Sequence, residues 1–297
     1  MPGGSAGSIL DQEGRALVER LGGRWTAKGG MCRCPAHDDR SPSLSVRPGR
    51  SRLLLHCFAG CEAEAILRAL VSERLIDPGA AASPAARVLG SHSAGTRAAA
   101  LRLWGGARDI AGSPAEAYLR LRGLEANSPE LRFHPRTPLG PKPLTRFRPA
   151  LIAAVRDEAG VVAVHRTFLD LRRQRAAAGR DAKSALGPFG RGAVRLGGAA
   201  ARLGLAEGVE TALSASALFK VPCWATLGTE RFALVALPAE VTELLLFLDN
   251  DSGGRRAEAL ARQAYAHIPS IAAHYPRRAG ADWNDVLRAR LRGGRGR

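Results

Sequence analysis

The second half of the chain alternates short apolar runs with segments of helical periodicity. The apolar runs have few polar positions, which is typical of strands buried on both faces of a sheet. They read RLGLAE, VPCWATL, VTELLLFLD and SIAAHYP, and helices are predicted near 208–219, 254–267 and 282–292. Strands that alternate with helices in this way predict an α/β fold, in which helices cover a parallel sheet.

The first half has other periodicities. Leucines at helical spacing predict a helix over 8–21, and a second one follows over 61–76. Ser113, Pro114 and Glu116 have the spacing of a capping box, which starts a further helix that Gly123 ends. Two apolar runs around the turn sequence DEAG predict a hairpin over 149–169. The chain as a whole is therefore α+β.

Composition adds a strong positive charge to this picture. The chain of 297 residues has a formal net charge of +17, and residues 81–200 hold 20 basic against 8 acidic residues. A basic block between nearly neutral ends favours a polyanion such as nucleic acid as partner over a merely solvated surface. The start lacks the pattern of a secretory signal, and no apolar run reaches membrane-spanning length, so we expect a cytoplasmic protein without a membrane partner.

Cysteine and histidine crowd into residues 32–61. Cys34 and His37 are separated by two residues, and Cys57 and Cys61 by three. Two close pairs of N and S ligands with a spacer between them are typical of a structural zinc site in a small ribbon. Buried reduced thiols are the plainer alternative, but this density of cysteine and histidine in a cytosolic chain favours metal.

Two further residues compete for places in this zinc site. Cys32 and His56 each lie within two residues of a predicted ligand. A closed zinc ribbon would be a binding platform and not a catalyst, and the metal would contribute on the order of 10 kcal/mol to its folding.

The run LLLFLDNDSGG ends on two aspartates, Asp249 and Asp251, directly after a predicted buried strand. A plain turn is one explanation, because Asp, Asn, Ser and Gly are the usual turn formers. A calcium loop of the EF-hand kind is excluded, because Gly253 and Leu260 stand where its ligands belong.

Other acidic residues follow the neighbouring strands. Glu207 ends the strand RLGLA, with Glu210 on the next helical turn, and Asp282 and Asp285 flank Asn284 after the last strand. The carboxyl ends of parallel strands meet at one edge of a sheet. Clustered carboxylates suit Mg²⁺ or Mn²⁺, and two such ions about 4 Å apart can activate a hydroxyl and stabilise leaving pyrophosphate.

These motifs carry a family resemblance. CPAHDDRSPSLSV followed by HCFAGC resembles the zinc-binding domain of bacterial-type DNA primases, and LAEGVETALSA followed by FLDNDSGG resembles the Toprim domain that primases share with topoisomerases and some nucleases. The pair in this order, with a basic middle, is similar to primases of phages, plasmids and integrated elements. The resemblance, which is weakest over 77–130, implies a zinc-binding domain with flanking helices (1–76), a basic primase-specific subdomain (96–200) and a Toprim catalytic domain (201–297). Residues 77–95 are rich in small residues and Pro, and this composition predicts a linker.

The resemblance also implies roles for the acidic residues. It makes Glu207, Asp249 and Asp251 the catalytic metal-binding residues, joined by Asp282 as a further ligand. Asn284 departs from the family's acidic pair, with Asp285 as a replacement. Primases also carry an acid four residues beyond the first glutamate, where this chain has Thr211. The number of catalytic metal ions is therefore open.

The family's middle subdomain guides the template along a basic ridge, and six residues are candidates for contacts with nucleic acid or nucleotide. They are Arg146, Arg148, Arg166, Arg172, Arg173 and Lys183. Lys183 is the first choice for a nucleotide phosphate, although an ordinary surface lysine is an alternative. Phosphate contacts require only positive charge, so the sequence does not distinguish one arginine from another.

The function implied is that of a DNA primase, which joins ribonucleoside triphosphates on a single-stranded DNA template with structural Zn²⁺ and catalytic Mg²⁺ or Mn²⁺. A Toprim-type nuclease and a non-catalytic, zinc-dependent DNA-binding replication factor are the alternatives. The sequence contains no G-x-x-x-x-G-K-[ST] motif, so a replicative helicase would be a separate partner.

Overall fold

A computed structural model describes most of the chain and divides it into two compact units. The described residues are 6–26, 29–39, 41–49, 53–61, 63–76, 84–140, 145–173, 175–177, 182–278 and 280–293. The two units are Met1–Gly95 and Thr96–Arg297. Within the described residues, no helix combines the length and the apolar character needed to cross a membrane.

The first unit is a four-stranded antiparallel sheet with two helices. Its elements are α1 (Ala6–Arg20), β1 (Arg24–Thr26), β2 (Gly29–Cys32), β3 (Leu44–Pro48), β4 (Leu53–Cys57) and α2 (Ala63–Ser72). The strands pair in chain order, and the core is built around Val18, Leu44 and Leu70, none of which is exposed to solvent. Both helices predicted in this region are confirmed, with shorter bounds at their carboxyl ends.

The stretch 77–95 was predicted to be a linker, and part of it is helical. Residues 77–83 lie outside the described residues, and α3 (Pro84–Gly106) begins immediately after them. Alanine is common in this stretch, and it has the highest helix propensity of all residues, so a composition of small residues does not exclude a helix.

The second unit begins with an antiparallel sheet of six strands. Its elements are β5 (Arg108–Asp109), α4 (Pro114–Leu121), β6 (Leu131–Leu139), β7 (Arg146–Asp157), β8 (Gly160–Asp170), β9 (Arg175–Ala176) and β10 (Lys183–Leu186). The sheet order is β10-β8-β7-β6-β5, with β9 paired to β8. The predicted hairpin is confirmed as β7 and β8, and the Ser113 side chain caps α4 as predicted by accepting from Ala115 and Glu116 backbone N–H groups.

The remainder of the second unit forms the predicted parallel sheet. Its elements are β11 (Val194–Arg195), β12 (Arg202–Ala206), α5 (Val209–Phe219), β13 (Cys223–Ala225), a 3₁₀ helix (Thr229–Ala233), β14 (Glu243–Phe247), α6 (Ser252–Ala264), β15 (Ser270–His274) and α7 (Trp283–Gly293). The order is β11-β13-β12-β14-β15, in which only the short β11 is antiparallel to its neighbour. The mixed α/β fold predicted from the alternating pattern is therefore confirmed.

The strand order decides where the functional loops meet. β14 lies between β12 and β15, and all three run in the same direction. The loops that follow these strands therefore leave the same edge of the sheet, which is where open α/β sheets bind ligands. One core joins this sheet to the antiparallel sheet through residues such as Leu119, Leu151 and Phe247, and a second core lies under α6.

Candidate functional site

The first candidate site lies at one end of the small antiparallel sheet. Cys34 and His37 lie in the turn that follows β2, whereas Cys57 ends β4 and Cys61 comes four residues later. Their ligand atoms all lie within 4.8 Å of one another, and His37 Nδ1 is 3.1 Å from Cys61 Sγ. Gly60 bends the chain between the two cysteines with a φ of 97°. Three thiols and one imidazole at this spacing fit a structural Zn²⁺ ion.

A buried carboxylate organises the turn that carries the first two ligands. Asp39 Oδ2 accepts hydrogen bonds from the Cys34 backbone N–H at 2.7 Å and from the Ser43 hydroxyl at 2.6 Å. Asp39 Oδ1 lies 3.8 Å from His37 Nε2, the ring nitrogen on the side away from the thiols. A carboxylate behind a metal-binding imidazole holds the ring in position and raises its basicity. The sequence-based prediction did not include Asp39, although its place two residues after His37 was visible.

The two competing residues lie outside this cluster. Cys32 is completely buried in the core of the unit, where its thiol is 3.6 Å from the Leu44 carbonyl oxygen. The His56 ring packs edge-to-face against Phe58 at 4.8 Å between centroids. The alternation of side chains along a strand explains why Cys57 and not His56 belongs to the cluster, because these two residues point to opposite faces of the sheet.

The second candidate site lies at the edge of the parallel sheet where three neighbouring strands end. Glu207 follows β12, Asp249 and Asp251 follow β14, and Asp282 precedes α7, which comes after β15. Two of these residues also begin helices: Asp251 accepts from the Gly254 N–H at 2.8 Å, and Asp282 accepts from the Asp285 N–H at 2.7 Å. We call these four residues the acidic edge.

The carboxylates of the acidic edge raise one another's pKa values. Burial raises the pKa of Glu207 above its ordinary value, and the charges of Asp249 and Asp251 raise it further. Burial likewise raises the pKa of Asp249, with added repulsion from Asp251 and Asp282. Repulsion at a shared edge is costly unless a cation compensates it. A simple turn would not need to gather these charges.

Two observations test whether divalent ions fit the acidic edge. Asp249 Oδ1 is buried and has no hydrogen-bond partner among the described residues, so it is an acceptor that lacks a donor or a cation. The four side chains do not converge as the zinc ligands do, since within the described residues only the cysteine–histidine cluster gathers three or more such groups tightly enough for one ion. Mg²⁺ tolerates such a site, because it binds through one or two carboxylates and completes its shell with water and phosphate oxygens.

The structure does not bring Asp285 into the acidic edge, although it was predicted as a metal ligand. Its side chain is exposed, and its backbone N–H serves only to cap α7 against Asp282. Asn284 is almost completely buried, and its side-chain amide donates to the Arg122 carbonyl at 2.9 Å and to the Ser214 hydroxyl at 3.2 Å. One turn of helix places successive residues in different directions, which the spacing alone did not resolve.

The surroundings of Arg166 argue against one of the predicted phosphate contacts. Arg166 is only 8% exposed, and its guanidinium donates to the Pro138 and Ala185 carbonyls and to the Ser184 hydroxyl. Burial lowers its pKa to about 10. Its donors are therefore committed to joining neighbouring strands, so we exclude it from the nucleic-acid surface.

The other predicted basic residues are at least partly exposed. Arg146 and Arg148 lie at the start of β7 on either side of the exposed Phe147, and Arg172 and Arg173 lie in the turn after β8. Lys183 starts β10, and its ammonium lies 2.9 Å from Glu210 Oε1. These positions allow phosphate contacts, which stay predictions.

Several residues near the acidic edge were missed. Thr229, at the start of the 3₁₀ helix, donates its hydroxyl to Glu207 Oε2 at 3.4 Å. Arg122, which caps the carboxyl end of α4, forms an ion pair with Glu210. None of these was predictable, because each contact joins residues that are far apart in the sequence.

Comparison with known families identifies one part of the chain. Residues 202–293 match the family model of the Toprim domain, and residues 94–196 match a domain of unknown function, DUF7146. The parallel sheet with its acidic edge is therefore a Toprim domain. A cysteine–histidine cluster that fits zinc precedes it, so the chain has the zinc-ribbon plus Toprim organisation predicted by its resemblance to bacterial-type primases.

Several solved structures are similar to the chain at low identity. The primase of Aquifex aeolicus (zinc-binding and RNA polymerase domains) has 17% identity and a TM-score of 0.47, over 98% of this chain and 85% of that one. A DNA primase domain from Pseudomonas aeruginosa has 17% identity and a TM-score of 0.42, over 62% and 71%. The primase fragment of the bacteriophage T7 primase-helicase has 15% identity and a TM-score of 0.40, over 63% and 76%. No curated protein matches the sequence.

Proposed function

We propose that this protein is a DNA primase that synthesises short RNA primers from ribonucleoside triphosphates on single-stranded DNA. The observation that supports this most strongly is the acidic edge, in which Glu207, Asp249, Asp251 and Asp282 follow three adjacent strands of a Toprim domain. A protein that only bound polyanions would gain nothing from clustered carboxylates, because they repel phosphate.

Three carboxylates of the acidic edge have the central roles in this proposal, and Asp282 would be a further metal ligand. Asp249 and Asp251 would hold divalent ions through oxygens that the sheet presents at its edge, and Glu207 would complete the site from the neighbouring strand. When bound, Mg²⁺ or Mn²⁺ would supply the charge that a transferring nucleotidyl group and its leaving pyrophosphate need. In this scheme Glu207 would also accept the proton of an attacking 3′-hydroxyl.

The remaining predicted residues bind substrate in this scheme. Arg146, Arg148, Arg172 and Arg173 would contact the DNA backbone, and Lys183 would contact the nucleotide phosphates. Zinc would be bound by the cluster of Cys34, His37, Cys57 and Cys61. The ion would stabilise the small unit, which would bind the template. A separate replicative helicase is the protein partner that this role implies.

The experiment is primer synthesis on single-stranded DNA with labelled ribonucleotides and Mg²⁺ or Mn²⁺. We expect short RNA products from the wild type and a decrease of at least about 100-fold in Asp249→Ala, since even the outer residues of a metal site commonly contribute 10–100-fold. Glu243→Gln is the matched control, because Glu243 lies at the opposite end of the sheet in an ion pair with Arg202.

The same preparations distinguish the two other functions. Metal-dependent cleavage of DNA without RNA synthesis, lost in Asp249→Ala, would replace the primase with a Toprim nuclease. DNA binding that survives Asp249→Ala but not loss of the zinc ligands, without RNA synthesis or cleavage, would replace it with a binding factor.

A further inference from the structure

Glu210 is a buried carboxylate that lies three residues after Glu207 and belongs to a different network. It is on the first turn of α5 and is 8% exposed. It forms ion pairs with the Arg122 guanidinium and with the Lys183 ammonium, the latter at 2.9 Å. Burial alone would raise its pKa, but Lys183 and Arg122 hold the pKa below its ordinary value.

The partners of Glu210 come from outside the Toprim domain. Lys183 begins β10, the edge strand of the antiparallel sheet, and Arg122 caps the carboxyl end of α4. The backbone of Arg122 is held in turn, because Asn284 donates to its carbonyl oxygen at 2.9 Å. Glu210 therefore receives two cations from elements that are themselves anchored.

Lys183 also lies close to the acidic edge. Its ammonium contacts Glu210, which lies three residues after Glu207 on the first turn of α5. An ammonium has several donors, of which Glu210 engages one. The Lys183 side chain is half-exposed, so its other donors are accessible to the phosphates of a nucleotide bound at the acidic edge.

We propose that Glu210 is a positioning residue, not a metal ligand, which holds the Lys183 ammonium beside Glu207 to contact the phosphates of a nucleoside triphosphate. This inference rests on the proposed function, because it takes the acidic edge as the site of nucleotidyl transfer. It also explains the position of this acid. Primases carry an acid four residues beyond the first glutamate, where this chain has Thr211, and Glu210 lies one residue earlier. From the first turn of α5, the Glu210 side chain reaches Lys183 and Arg122, whereas the Asp249 carboxylate interacts with Asp251 and Asp282.

The first test measures the position of Lys183 without any activity assay. The chain has four lysines, Lys28, Lys142, Lys183 and Lys220, so acetylation by acetic anhydride can be followed at each by mass spectrometry. We expect Glu210→Gln to raise the labelling rate of Lys183 several-fold and to leave that of the exposed Lys220 unchanged. Glu243→Gln, which removes a carboxylate from the opposite end of the sheet, should change neither rate. An unchanged Lys183 rate in Glu210→Gln would overturn the inference.

The second test measures binding of ATP with Mg²⁺ by calorimetry in Glu210→Gln, Lys183→Met and the double variant. If Glu210 acts through Lys183, each single variant should raise Kd about 5–10-fold, and the double variant should be no weaker than Lys183→Met alone. Additive losses, or an unchanged Kd in Glu210→Gln, would overturn the inference and leave a structural ion pair. A shift in the Mg²⁺ concentration needed for binding, equal to that of Asp249→Asn, would instead make Glu210 a metal ligand.

The outcome for the proposed function is separate. A wild type that makes no RNA but shows the expected labelling and ATP binding would remove the primase and keep Glu210 as a positioning residue for a triphosphate. If the wild type makes RNA, but Glu210→Gln shows wild-type labelling of Lys183 and a wild-type Kd, the primase is supported and the positioning role of Glu210 is overturned.

Discussion

The two candidate metal sites of this protein differ in how the chain assembles them. The zinc cluster draws its four ligands from residues 34–61, on two turns of one small sheet, and its ligand atoms lie within 4.8 Å of one another. The acidic edge draws its carboxylates from residues 207–282, and they adjoin only because β12, β14 and β15 are neighbours in the parallel sheet.

The difference reflects what each site has to do. A structural zinc site is closed by protein ligands and contributes directly to folding. A site for Mg²⁺ and substrate must leave positions open, so its carboxylates are not enclosed by ligands of opposite charge. Burial first, and then repulsion between the carboxylates, raises the pKa values of Glu207 and Asp249. We therefore expect the ligands of the first site to stabilise the fold and those of the second to cost stability.

The largest effect should follow the loss of a zinc ligand. Cys57→Ser should remove zinc binding and on the order of 10 kcal/mol of folding free energy from the first unit. Hydrogen exchange in the full chain should then show loss of protection in β3 and β4, while β12 and β14 keep theirs. Zinc content per chain should fall with it.

Cys32→Ala is the control for this change, because Cys32 is equally buried but lies outside the cluster. It should retain zinc and show only the smaller cost of a truncated core side chain. A Cys57→Ser protein that keeps its zinc and a protected ribbon would contradict the assignment of this cluster.

A smaller effect is expected at Asp39, which supports the zinc ligands without belonging to them. Asp39→Asn keeps the shape of the side chain but removes the charge that faces His37 and weakens its bond to the Cys34 N–H. Zinc affinity, measured by competition with a chromophoric chelator, should fall about 10–100-fold. Asp11→Asn, an exposed change on α1, should leave the affinity unchanged. Equal affinity in Asp39→Asn and wild type would limit Asp39 to shaping the turn.

The smallest effect has the opposite sign and concerns the acidic edge. A raised carboxyl pKa means that the folded protein binds protons more tightly than the unfolded chain, so stability falls as pH rises through the raised pKa values of Glu207 and Asp249. Asp249→Asn should therefore stabilise the metal-free protein at pH 7 by about 1 kcal/mol, although the same change should abolish synthesis when Mg²⁺ is present. Thermal unfolding from about pH 4, near the ordinary carboxyl pKa, up to pH 8, with and without Mg²⁺, measures this change in stability.

Mg²⁺ should flatten the pH dependence of the wild type and have less effect on Asp249→Asn. Glu243→Gln, at the other end of the same strands, should show the wild-type response to Mg²⁺. A destabilised Asp249→Asn in the absence of metal would mean that this carboxylate serves the fold, and the proposed division between the two sites would then fail.

The arginines show where sequence reasoning reached its limit. Arg166 and Arg231 are 8% and 1% exposed, and the Arg231 guanidinium donates to the carbonyls of Thr226, Gly190 and Gly192. In a chain this rich in arginine, the local sequence does not distinguish a buried structural arginine from a phosphate-binding one. The two kinds of arginine are distinguished by the backbone carbonyls that the folded chain places around the guanidinium group.

The sequence by itself determined the alternation of strands and helices in the second half and hence its α/β class, the hairpin, the helix cap at Ser113 and the grouping of the four zinc ligands. These depend on periodicities and spacings over a few to about thirty residues, which local sterics and burial enforce. The tertiary structure alone decided that Asp282 and not Asp285 faces the acidic edge, that Arg166 is internal and that Glu210 pairs with Lys183 and Arg122. Each of these depends on which strands become neighbours and which way one side chain points, and packing between distant segments decides both.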